Sequence, residues 1–312
     1  MADTASAHAT YALGYLGYWA GNTAAASEDL RSAAEQLAGQ PDEYAARALI
    51  YLGGLLDDVD RGEEALGYVR RAIDAAAPFG ADLQVGAAIG MGCVLAERAS
   101  PDAASFAADA IALCRRAGSP EQLAATLPTA AMVCWQVGAL DAARGYVAEA
   151  MPLLAGSRRI ARVVLLCAAA GIALADGDLA AAIELGTQAD GDARDLGIDR
   201  EIPLIRCVLA QAMLAAGNAA GAAAKAAEAI TAARSLSFPF PMALCLETAA
   251  LVVLPADIEA GGRLLAAATA IRERGNRPCP VPLSPAIAQA LEENYRRTAR
   301  QARKVMDRLF YG

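Results

Sequence analysis

Chemically versatile residues cluster at the start of the chain, in "HATYALGYLGYW" at positions 8–19. Read at helical spacing, His8, Tyr11, Tyr15 and Tyr18 share one face. His8 is the chain's single histidine, and no partner for metal ligation or general-base work stands near it in the sequence. The tyrosines offer flat apolar area with polar tips, which suits an interface or a packed core. A second group is Cys167, Cys207 and Cys245, three thiols in a similar setting that would make a soft-metal or redox site if they faced one another. Buried cysteine more often acts as a small apolar residue. A third is "LLDDVDRGEEAL" at 55–66, where clustered carboxylates raise the possibility of magnesium held for a prenyl diphosphate. Arg61 stands where the last acid of a D-D-x-x-D set belongs, and Asp58 and Arg61 are expected to be ordinary loop charges. No H-E-x-x-H, G-x-S-x-G or G-x-x-x-x-G-K-[ST] stretch occurs. The chain is therefore expected to be no enzyme and to need no cofactor or metal.

Composition limits the remaining classes. The 312 residues are 56% apolar but only 5% aromatic, and much of the apolar share is alanine, the best helix former. The net charge of −8 lacks the basic footprint that phosphate backbones require, so the array itself is expected to bind no nucleic acid. Seven cysteines, an odd number with no CxxC, fit a reducing cytoplasm. "MADTASAHAT" has no basic n-region, and the apolar run at 163–175 is too short to span a bilayer. No membrane partner is expected.

The elements that must carry these side chains announce themselves by repetition. Gly14, Gly53, Gly92, Ala131, Ala170, Ala210 and Thr248 lie 39, 39, 39, 39, 40 and 38 residues apart. Twelve residues further on stand Ala26, Ala65, Ala104, Ala143, Ala182, Ala222 and Ala260; seven beyond those come Ala33, Ala72, Ile111, Ala150, Ala189, Ala229 and Ala267. A turn column runs between: Gly21, Asp60, Ala99, Gly138, Gly177, Gly217 and Pro255. Small residues at fixed places mark where paired helices cross, because interaxial distance follows the size of the contact side chains. Glycine supplies a left-handed cap, and the Asn22, Asp178 or Asn218 that follows is expected to cap the next helix. Such pairs cannot bury their apolar faces alone, so they stack.

"ALGYLGYWAGNTAAASEDLRSA" at 12–33 and "AMVCWQVGALDAARGYVAEAM" at 131–151 resemble the tetratricopeptide repeat. The period near 39 is longer than the usual 34 of that repeat. Longer units of this kind resemble the repeat region of MalT/LuxR-type signal-transducing NTPase regulators, where the array serves as sensor or interaction arm. With no P-loop and no helix-turn-helix pattern, the chain matches that arm alone. The expectation is an all-α solenoid of about seven helix pairs in a right-handed superhelix over residues 1–273. A Pro-rich linker at 274–284 and a C-terminal capping helix at 285–312 are expected to follow. That helix is expected to start at Ser284 and Pro285, with a stripe of Tyr295, Ala299, Ala302, Met306 and Leu309.

The resemblance implies that first helices line a concave groove. The candidate binding residues are then His8, Tyr11, Tyr15, Tyr18, Arg47, Asp57, Met132, Trp135, Cys167, Cys207, Gln211 and Cys245. This mostly apolar wall suits an amphipathic peptide, a partner protein or an apolar small-molecule effector. A stand-alone adaptor and an all-α enzyme with an apolar cavity are the alternatives.

Overall fold

The computed structural model describes residues 4–19, 22–39, 41–59, 61–156, 160–236, 240–275, 277–283, 285–290, 292 and 296. Within them the chain is all helical, as its alanine-rich composition dictates. The helices are α1 (Thr4–Trp19), α2 (Thr23–Gln36), α3 (Glu43–Asp58), α4 (Gly62–Ala76), α5 (Ala81–Ala96), α6 (Asp102–Ala117) and α7 (Pro120–Gln136). They continue as α8 (Leu140–Leu154), α9 (Ile160–Asp176), α10 (Leu179–Leu196), α11 (Ile202–Ala215), α12 (Ala219–Ser235), α13 (Phe240–Val253) and α14 (Ile258–Gly275). Residues 285–290, with 292 and 296, are helical and begin α15. Ser284 and the stripe from Tyr295 onward lie outside the described residues, as do the turn positions Gly21 and Asp60.

Each odd-numbered helix packs on its own even-numbered partner and on the next odd-numbered helix. Each even-numbered helix through α12 packs on the odd-numbered helix that follows, whereas no substantial even-to-even packing occurs among the described residues. The odd helices α1 to α13 therefore form a continuous inner layer and the even ones fan out behind it. This is a two-layered α-solenoid of seven units.

The small-residue column explains the close approach. Gly14, Gly53, Gly92, Ala131, Ala170, Ala210 and Thr248 are all buried. A Cβ on Gly14 would stand 2.8 Å from Leu30 Cγ, and one on Gly53 would collide with Val69 Cγ2. In both cases the obstacle belongs to the paired second helix. The second-helix columns hold with one correction in unit three and two in unit seven. Ala103, fully buried, takes the place expected for Ala104, and Gly261 and Ala268 take those expected for Ala260 and Ala267. The second helix of unit seven thus starts one residue later than the spacing of the first helices implies.

The turn column is confirmed in backbone angles. Gly138, Gly177 and Gly217 sit at φ +76°, +79° and +82°, and Ala99 takes the same role at φ +51°. Alanine there carries the steric cost of the left-handed region. Ala99→Gly is expected to stabilise the chain by about 0.5–1 kcal/mol, read as a higher urea midpoint at unchanged slope. Asp178 and Asn218 cap α10 and α12 through Ala181 N and Gly221 N, at 3.0 and 2.9 Å. Asn22 does not: it offers only its backbone carbonyl, to Ala26 N at 3.0 Å, and its side chain makes no cap hydrogen bond.

Two long-range links curl the solenoid inward. Arg200, in the turn before α11, pairs in bidentate fashion with Asp58 at the end of α3, 142 positions away, at 2.5 and 2.8 Å. Asp58 is thus no ordinary loop charge; Arg61 does remain at the surface, paired with Glu64 at 2.7 Å. The second link is the segment 277–283. It lies against the inner layer as a strap, non-helical at 277–280 and turning at 281–283. Arg272 of α14 anchors its start, donating to Arg277 O and Pro278 O at 3.2 and 3.0 Å while clasping Glu247 at 2.5 and 2.6 Å. Val281 N then donates to Gln136 O at 2.9 Å, satisfying one of the orphan carbonyls at the end of α7. Leu283 and Ile287 sink into the main core.

Candidate binding cavity

The curled inner layer borders a partly open cavity of about 460 Å³ to which all seven units and the strap contribute. Tyr18 and Tyr51 form an aromatic wall, and Ile50, Ile89, Met132 and Leu204 an aliphatic one. Gly54, Gly86 and Gly90, all on inner helices, keep the space open. A Cβ on Gly54 would meet nothing within 4 Å, and those on Gly86 and Gly90 would meet only side-chain atoms beyond 3.5 Å.

One end of the cavity is charged. Asp57, at 5% exposure, receives Arg98 Nη1 at 2.7 Å and lies 3.2 Å from Arg277 Nη2 of the strap. Glu97 is bonded more thinly. Its Oε1 accepts Gln136 Nε2 at 3.3 Å, Arg277 Nη1 stands 3.7 Å from Oε2, and Oε2 itself accepts no hydrogen bond among the described residues. Burial pushes the Glu97 carboxyl up to about 7, against the pull of Arg277 and with a further push from Asp57. Burial also raises Glu201, whose Oε1 is 3.9 Å from Arg200 Nε, and lifts the Cys93 thiol to about 12. Because Glu97 is raised, the folded chain holds a proton that the unfolded chain has already released between its ordinary value and about 7. The cost is absent at low pH and fully present above that window. Glu97→Gln is expected to remove it: urea midpoints of wild type and variant should converge at about pH 4 and separate, variant higher, at about pH 8.

The expected site residues divide into three groups. Tyr18, Asp57 and Met132 line the cavity. The opening aromatic stretch packs between α1 and α3. Tyr11 stacks near Tyr15 at 6.0 Å, Tyr15 and Tyr18 meet Tyr51 at 5.0 and 5.4 Å, and His8 and Tyr11 meet Tyr44 at 4.3 and 5.2 Å. His8 does have a partner. Its Nε2 lies 2.8 Å from Asp42 Oδ2, while Asp42 Oδ1 caps α3 through Tyr44 N. The histidine thus secures a helix start. Arg47 sits nearby on the rim, bridging Glu43 and Asp82.

The third group turns away from the cavity. Trp135 is fully buried, with its indole over Gly171 of the next inner helix. Cys167, Cys207 and Cys245 are fully or almost fully buried between inner helices; Cys207 and Cys245 are free thiols with sulfurs 3.6 Å apart. Burial drives the Cys167 and Cys207 thiols well above their ordinary range, which makes them unreactive packing residues. Gln211 bonds Thr248 Oγ1 at 3.1 Å and borders a second cavity of about 550 Å³ beside Leu283 and Ala286. Sequence reasoning missed Tyr51, Glu97, Arg200, Glu201 and Arg277. Tyr51 and Glu97 each left a signal, standing one residue past Ile50 and Ala96, first-helix positions that the resemblance places in the groove.

Neither a family model nor a curated protein sequence matches the chain. Solved structures do. One is the Rap conjugation gene regulator of plasmid pLS20 in complex with the Phr peptide: TM-score 0.65, 15% identity, 84% of this chain and 72% of that one. The chain is a tetratricopeptide-like array. A Rap protein complexed with competence and sporulation factor gives TM-score 0.57 at 16% identity, covering 85% of this chain and 75% of that chain. A signal transduction ATPase with numerous domains and a tetratricopeptide repeat sensor, from Pyrococcus horikoshii, gives 0.50 at 17% identity over 85% of this chain. The array spans 41% of that protein. Among the described residues no helix is long and apolar enough to cross a membrane.

Proposed function

We propose that the array is a non-catalytic recognition scaffold whose concave interior docks a peptide or an extended segment of a partner protein. The strap carries this reading. The inner layer already accommodates a non-helical stretch of chain, whose Val281 N–H donates to Gln136 O and whose Arg277 lies against Asp57. Such contacts recognise any extended segment of matching chemistry. Two of the similar folds are solved with Phr peptide or competence and sporulation factor bound, and a third carries a tetratricopeptide sensor on an ATPase. On that analogy the chain acts as the sensor or docking arm of a regulator of the MalT/LuxR kind, in which 277–283 works as a strap between the array and its C-terminal cap. An apolar effector is the second reading, favoured by the larger cavity lined by Leu174, Leu214, Leu251 and Leu254.

Affinity capture from a lysate of the native host, with wild type and Tyr51→Ala immobilised side by side, tests the docking reading. A partner retained by wild type is expected to weaken about tenfold or more on the variant, the loss usual for an aromatic anchor. Equal retention on both would place the docking surface elsewhere.

A further inference from the structure

Four carboxylates, Asp57, Asp58, Glu97 and Glu201, gather at the charged end of the cavity. Three guanidiniums oppose them, from Arg98, Arg200 and Arg277. Asp57 and Asp58 take the short contacts, at 2.7 Å from Arg98 and 2.5 Å from Arg200. Glu97 and Glu201 are left with cations at 3.7 and 3.9 Å, outside hydrogen-bond range. The four carboxylates thus outnumber the three guanidiniums by one charge, and Glu97 Oε2, on the cavity wall, accepts no hydrogen bond among the described residues. Tyr18 and Tyr51 line the same space, and aromatic rings attract a cation. Gly54 widens it with a backbone that no other group approaches.

We infer that this cavity binds a small organic cation: a primary amine or guanidine on a short aliphatic or aromatic stem. The head group is held by Glu97 and Glu201, and the stem lies against Tyr18, Tyr51 and Met132. The inference rests on reading the concave interior as the recognition surface and names a ligand for the part the strap leaves open. A free molecule fits better than a peptide here, because Arg277 and Pro280 of the strap form part of the lining and the volume falls in the range of small-ligand sites. The strap's own Arg277 shows the chemistry these carboxylates accept.

Calorimetric titration of the full chain with phenethylamine and agmatine, and with 3-phenylpropionate as the matched anion, tests it. Phenethylamine is expected to bind at least about tenfold more tightly than the anion. Glu201→Gln should weaken it about thirtyfold or more, the usual loss when one member of a buried charge pair is removed. Gly54→Leu, whose side chain enters open space and whose helix gains propensity, should abolish binding while leaving the thermal midpoint level or higher. Affinity should also rise between about pH 6 and about pH 8, as Glu97 ionises, with the Glu201 carboxyl likewise raised by burial, while Cys93, Tyr18 and Tyr51 stay neutral and the arginines stay charged. Equal binding of amine and anion, amine affinity unmoved by Glu201→Gln, or no heat from either amine at millimolar concentration overturns the proposal. Capture of a partner protein is a separate readout, so failure of amine binding leaves the docking reading to be decided by its own experiment.

Discussion

Asp57→Ala is expected to remove about 3–5 kcal/mol of stability, the loss typical of stripping one partner from a buried ion pair. The side chain is 5% exposed and sits between the guanidiniums of Arg98 and Arg277, whose own side chains are 11% and 3% exposed. Removing the carboxylate leaves two buried cations with only the thinly placed Glu97 to offset them. Water reaches neither easily, so the desolvation cost of both persists without its Coulombic return. The strap should loosen first, because Arg277 is its innermost anchor. Urea unfolding gives the size of the loss, and alkylation of Cys279, partly buried on the strap, gives its location. A faster Cys279 reaction in the variant is expected. Arg61→Ala serves as the contrast: its pairing with Glu64 is half-exposed, and its loss should cost less than about 1 kcal/mol.

The second large effect is at Trp135. Trp135→Ala is expected to cost about 3–5 kcal/mol, from lost transfer energy and the cavity left behind. The ring is fully buried and crosses from α7 to α9, where only a glycine leaves room: a Cβ on Gly171 would stand 2.5 Å from indole Cε2. The indole N–H makes no hydrogen bond among the described residues. Trp135→Phe should therefore cost markedly less, since it removes volume without orphaning a partner. Both variants should leave phenethylamine affinity unchanged once folded, because the ring is not part of the cavity wall. Thermal unfolding and the same calorimetric titration check the two statements.

The architecture was readable from the sequence because it is local. A small residue where two adjacent helices cross, and a left-handed turn before the second, are constraints within one unit, and repetition amplifies them. Ala99 illustrates the strength of that signal: the position demanded a positive φ even where the residue was not glycine. The slip to Gly261 in unit seven was hidden because Ala260 and Ala267 stand beside it in an alanine-rich background. The cavity was half legible. Helical register put Tyr18, Asp57 and Met132 on the inner wall, but it could not distinguish side chains facing the cavity from those, such as Trp135 and Cys207, pressed between neighbouring inner helices. The charges that define the site were out of reach. Arg200 meets Asp58 across 142 positions, and Arg277 reaches Asp57 from beyond the last unit. Such pairs follow from how tightly the solenoid curls, a property of the summed unit rotations that no single repeat encodes.

That curl is the claim on which the cavity depends, and the Asp58–Arg200 pair reports it directly. A double-mutant cycle, with Asp58→Ala, Arg200→Ala and the double variant unfolded in urea, measures the coupling between the second and sixth units. Contact across the interior predicts a favourable coupling of about 1–3 kcal/mol, within the range for residues that share an ion pair. Additive losses, equal within about 0.5 kcal/mol, would mean that the array stands open and encloses no such site.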